Sequence, residues 1–171
     1  ITRNDKTAQK YFQKAISVNP DNGFVYAAVA DAYAEKYAIA NFKEFSENAK
    51  KYAELANLNA NYEPDIFLTL GAINIHLGLI ANANKYFSDY IKYSDDKADA
   101  YCEIASVFWY NDVKGKYRKQ VVSYLEKAKS IKELNPVYKV MLISAYRQIG
   151  NTKSADDMAT KLLKEQAVFE N

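Results

Sequence analysis

The sequence predicts an all-α protein, a solenoid of antiparallel helical hairpins with about nine helices, and three observations carry that prediction. Glycine and proline are scarce, 5 and 3 in 171 residues. Alanine recurs at spacings of three and four almost throughout, which favours helix over strand. One pattern of residue types also returns along the whole chain.

The apolar periodicity predicts helices over about 7–18, 22–38, 42–58, 64–77, 80–93, 97–111, 115–131, 135–149 and 152–168. Turn residues separate them: Asn19-Pro20-Asp21-Asn22-Gly23, the stretch from Asn57 to Pro64, Gly78, Ser94-Asp95-Asp96, Gly115, Asn135-Pro136 and Gly150-Asn151-Thr152. Pro64 and Pro136 fall at first helical positions, where a missing N–H removes no intrahelical bond. Asp96 and Thr152 are expected N-caps, each followed by acidic residues that suit the positive end of the helix dipole.

Laid over one another, alternate helices align. Ala8, Ala49, Ala83, Val121 and Ala155 share one position, Phe12, Ala53, Phe87, Leu125 and Ala159 a second, and Ala15, Ala56, Tyr90, Ala128 and Leu162 a third. In the helices between them, Tyr26 matches Phe67 and Tyr101, Val29 matches Leu70, Ile104 and Leu142, Ala30 matches Gly71 and Ala105, and Tyr33 matches Asn74, Phe108 and Tyr146. The steps from Ala49 to Ala83 and from Val121 to Ala155 equal a repeat of roughly 34 residues.

In these residues the chain resembles the tetratricopeptide repeat family. Tyr26, Val29, Ala30 and Tyr33 match the family's first helix, Ala83 and Phe87 its second, and Pro20 its closing proline. The resemblance implies one domain over 1–171 wound as a right-handed superhelix: a half repeat at 7–20, a repeat with a long hairpin at 22–61, repeats at 64–95 and 98–133, and a degenerate terminal repeat at 136–168. Relative to the family period the second hairpin has about seven extra residues and the fourth about four. Tyr37 to Phe42 is expected to lengthen the helices, and Asn111-Asp112-Val113-Lys114-Gly115-Lys116 to form an exposed loop. Lys139 and Ile143 replace the bulky and small residues of the last hairpin.

The resemblance also implies that the first helix of each hairpin lines a concave groove. By register its walls are Phe24, Ala27, Asp31 and Glu35, then Asp65, Leu68, Ala72, Ile75 and His76, then Asp99, Cys102, Ser106, Trp109 and Tyr110, then Val140, Ser144, Arg147 and Gln148. Trp109 and Tyr110 are candidate anchors, with packing against the extended hairpin as the alternative role. The family's clamp for carboxylate tails uses Lys, Asn and Arg, whereas the matching places here hold Phe24, Asp65, Asp99 and Val137. A mixed apolar and acidic groove suits a segment with apolar anchors and basic residues.

Other chemistries find little footing. His76 and Cys102 are the single residues of their kinds, and the register places them at different heights on neighbouring helices, so no nucleophile and base pair is expected. Phosphate loops and paired metal-ligand motifs are absent, and no enzyme activity or cofactor is expected. Asp95, Asp96 and Asp99 lack the spacing of a calcium loop and read as caps. Lys114, Lys116, Arg118 and Lys119 around Tyr117 read as a solvated loop, and with a net charge of +2 the chain offers no field for nucleic acid. Most of the fifteen tyrosines, Tyr26, Tyr33, Tyr86, Tyr101 and Tyr146 among them, fall at core positions.

No apolar run is long enough to insert in a membrane, and one cysteine leaves cytoplasm and periplasm both open. A start at Ile1 rather than Met suggests a piece of a longer protein. The expected function is a protein-interaction scaffold holding a partner's peptide or helix. The alternative is self-association into a homo-oligomer through the truncated first hairpin or the final helix.

Overall fold

The computed structural model describes residues 3–112 and 114–169, with side chains for 6–112 and 114–165. Among the described residues the chain forms nine α-helices: α1 Arg3–Val18, α2 Gly23–Ala40, α3 Lys43–Leu58, α4 Pro64–His76, α5 Ile80–Tyr93, α6 Lys97–Tyr110, α7 Arg118–Ile131, α8 Pro136–Gln148 and α9 Thr152–Phe169. Helices pack in adjacent pairs, α2 with α3, α4 with α5, α6 with α7 and α8 with α9. They gather into two compact units, Ile1–Tyr93 and Ser94–Asn171. No helix among the described residues is long and apolar enough to cross a membrane.

In the first unit α2 packs against both α3 and α4, and its composition shows why. Tyr26, Ala27, Val29, Ala30, Tyr33 and Ala34 are all buried, a face too wide for a single neighbour. On α3 the buried set is Phe45, Ala49, Tyr52, Ala53 and Ala56, the narrower three-and-four stripe of a helix with one side in solvent. Small residues let the axes approach, and rings fill what remains: Tyr33 stacks on Tyr52 at 5.9 Å, and Phe12 of α1 lies 5.7 Å from Tyr33. The leading helix thus rests on the helices after it. Ala15 is exposed while its register equivalents Ala56, Tyr90 and Ala128 are buried and Leu162 is half-buried.

The α4–α5 pair shows the same rule at closest range. Gly71 stands where α2 and α6 carry Ala30 and Ala105, and a Cβ added there would land within the ring of Phe87, itself fully buried. The missing methyl makes room for the large partner.

The extra residues of the long hairpin lengthen α2 as far as Ala40, after which Asn41 turns the chain in the left-handed region at φ 55°. Asn adopts that conformation at low cost, so a two-residue connection suffices. At the other insertion the structure corrects the expected exposed loop. Lys114, Gly115 and Lys116 are exposed, but Asp112 is buried and its carboxylate accepts backbone N–H bonds from Lys116 at 2.6 Å and Tyr117 at 2.7 Å. Val113 lies outside the described residues.

Caps follow the sequence with one correction. Asp96 accepts from the N–H groups of Ala98 and Asp99 at 2.8 and 3.0 Å, and Pro64 and Pro136 open α4 and α8. Thr152, however, is the first residue of α9, and the side chain of Asn151 accepts from the N–H of Ser154 at 3.3 Å. The better acceptor one residue earlier takes the cap.

Candidate functional site

The expected groove residues divide between the two units, and each set is placed on its own unit's helices. In the first, the packing of α2 on α4 sets two partly open helix faces side by side. On α2, Phe24 is 47 % exposed and Glu35 is exposed, while Asp31 is half-buried. On α4, Asp65 is exposed and Leu68, Ala72 and His76 are partly exposed. Ala27 and Ile75 are buried at 3 % and 5 %, so their register positions turn into the packing and offer no open wall. For Ile75 the cause is that α4 is covered on several sides, with Ile73, Asn74 and Ile75 buried in succession.

Asp31 is the electrostatic anomaly of this face. Its pKa is raised, first by burial and then by the neighbouring charge of Glu35, one turn along α2; His76 acts in the opposite sense. Among the described residues the Asp31 carboxylate has no hydrogen-bond or ion-pair partner. A partly desolvated carboxylate beside a second acid is an unfavourable arrangement that a cation would relieve.

In the second unit Asp99 and Tyr110 are exposed, Tyr110 by 76 %, and Ser106 and Trp109 are half-buried. Cys102 is buried at 4 %, which removes it from any open wall. With Ala98, Leu134 and Tyr138 it lines a small cavity of about 90 Å3. Desolvation, with Asp99, Asp96 and Glu103 adding to it, pushes the thiol up to about 11, far from the pKa of a nucleophile. On α8, Val140, Arg147 and Gln148 are exposed and Ser144 is partly so.

Trp109 is engaged within its own unit. The Arg118 guanidinium lies 4.0 Å over the indole ring, donates to the Trp109 and Asp112 carbonyls at 3.4 Å each, pairs with the Asp112 carboxylate at 3.5 Å and reaches Gln148. This clamp joins α6, α7 and α8, and four residues read as groove or loop take part in it: Trp109, Asp112, Arg118 and Gln148. The signal for it was present as the one acid, Asp112, just ahead of the run Lys114, Lys116, Arg118 and Lys119. Tyr117 of that run is buried rather than solvated.

Among the described residues no three His, Cys, Asp or Glu side chains converge as a metal site would. The acidic cluster instead caps α6 and pairs with Lys132, 3.3 Å from Asp96 and 3.8 Å from Asp99. In comparisons with known proteins, no family model matches the chain and no curated protein matches it.

Proposed function

We propose that this chain is a tetratricopeptide-type interaction module, without catalytic activity, that binds a segment of a partner protein along the α2–α4 face. The observation that carries the reading is the half-buried, unpartnered carboxylate of Asp31 between exposed Glu35 and exposed Phe24 on one helix. A lysine or arginine of the partner would neutralise the acidic pair, and Phe24 with the open part of Leu68 would meet an apolar anchor. Aromatic and charged anchors of this kind carry a large share of binding energy when water is excluded around them. The repeat pattern supports the reading by analogy, since helical-hairpin repeats serve many processes.

Selection from a displayed random-peptide library tests it. The expected outcome is enrichment of peptides combining Lys or Arg with Leu or Phe, and loss of that enrichment in a folded Phe24→Ala, Asp31→Asn variant. Enrichment of acidic peptides, or equal selection by the variant, would overturn the assignment.

A second reading, self-association, has its own observation. On α1, Tyr11 is 66 % and Val18 77 % exposed, and Ala15 is exposed where Ala56, Tyr90 and Ala128 are buried. Sedimentation equilibrium over a hundredfold concentration range distinguishes the two, because a single monomer mass throughout excludes this route.

A further inference from the structure

We infer that a cleft in the last hairpin is a binding site for an aromatic ring supplied by a partner's side chain. The inference starts from the repeat register. Each earlier first helix carries a ring at one position, Tyr26, Phe67 and Tyr101, and each earlier second helix carries Tyr52, Tyr86 or Tyr124, three residues beyond Ala49, Ala83 and Val121. Tyr26 stacks on Tyr52 with centroids 6.5 Å apart, and Tyr101 meets Tyr124 at 6.2 Å. At the same two positions α8 and α9 carry Lys139 and Met158. The last hairpin therefore lacks the pair of rings that meets in α2–α3 and in α6–α7.

What stands in their place is a cavity of about 310 Å3, lined by Lys139 and Met158 together with Leu134, Tyr146 and Leu162. That volume reaches the range of small-ligand sites, on the order of 300 Å3 and above. The Lys139 ammonium is drawn aside, 2.7 Å from Glu133 and 2.7 Å from Glu165, and Lys161 stands 3.6 and 3.7 Å from the same two acids. These charges compensate one another, so the site has no evident demand for an ion. The Tyr146 hydroxyl is also engaged, donating to Glu126. Leu134, Tyr146, Met158 and Leu162 offer a ring apolar surface, and the lysines among the charged residues that share the lining can meet its face. In the preceding hairpin Lys127, at the register position of Lys161, makes that contact, 5.7 Å from the Tyr101 centroid and 5.3 Å from that of Tyr124.

A ring borne by a partner follows from the interaction role proposed above; the capacity for a ring does not depend on it. The test is a nuclear magnetic resonance titration of the isotope-labelled chain with p-cresol and, separately, with N-acetyl-tyrosinamide. Both are expected to shift amides of α7, α8 and α9, with a Kd on the order of 1 mM for molecules of this size. Met158→Tyr, which restores the missing ring, is expected to raise the melting temperature and weaken both ligands at least tenfold. Leu162→Phe provides a second narrowing variant should the first not fold. No localised shifts, or shifts of equal affinity in a folded narrowed variant, would overturn the site. Binding of p-cresol without N-acetyl-tyrosinamide would overturn the partner side chain as its source. Loss of peptide binding at the α2–α4 face, with p-cresol binding intact, would count only against the function proposed above.

Discussion

Gly71 and Phe87 are a matched pair: the ring of Phe87 occupies the space that a methyl on Gly71 would need. In the register of the repeat, Ala30 goes with Ala53 and Ala105 with Leu125, so the smallest residue is found with the largest. Gly71→Ala is expected to destabilise the first unit by roughly 1–3 kcal/mol through overpacking, despite the better helix propensity of alanine. Gly71→Ala with Phe87→Leu recreates the combination found in α6 and α7 and is expected to recover much of the loss. Urea denaturation of both single variants and the double variant measures the coupling, and strict additivity would count against the pairing.

The Asp112–Arg118 clamp is expected to be a major stabilising feature of the second unit. Asp112→Ala removes the acceptor of two backbone N–H bonds and leaves the Arg118 guanidinium, 12 % exposed, without its carboxylate. A loss of about 3 kcal/mol is expected. Arg118→Lys keeps the charge but not the planar stack on Trp109, so a smaller loss should accompany a change in Trp109 fluorescence.

Asn151→Ala is expected to cost about 1 kcal/mol through the α9 cap, and Thr152→Ala only a few tenths. This pair also shows how far the sequence can be read. Helix identities and most ends follow from periodicity and turn residues, and the α1 assignment misses only a first turn with little apolar content. The choice between adjacent capping residues depends on backbone angles that composition does not encode. Burial of Asp112 likewise depends on a loop closing over its carboxylate, and the division at Tyr93 and Ser94 reflects packing that register leaves undefined. Phe24, Asp31 and Glu35 were placed on one wall by register; the absence of a partner for Asp31 emerged only in three dimensions.

Cys102 reports on opening of the second unit. With its thiol held up at about 11 and 4 % exposed, the folded chain is expected to react with a thiol reagent at pH 8 at least about 100-fold more slowly than the unfolded chain. The unfolded thiol ionises first as pH rises, so the Cys102 contribution erodes stability between the ordinary cysteine value of 9.0 and about 11. Cys102→Ala is expected to flatten that part of the stability profile, which melting curves from pH 8 to 11 would measure.

The Asp31 carboxyl has its folded pKa above its ordinary value, so the unfolded state loses this proton first as pH rises from the acid side, and ionised Asp31 detracts from stability at neutral pH. Stability and binding are therefore to be followed together in the Asp31→Asn variant. Thermal melts at pH 7 are paired with calorimetric titration of a selected basic and apolar peptide. An anchoring role for Asp31 predicts a variant at least as stable as the parent and at least tenfold weaker in peptide binding. A variant that binds the peptide as tightly as the parent would contradict it.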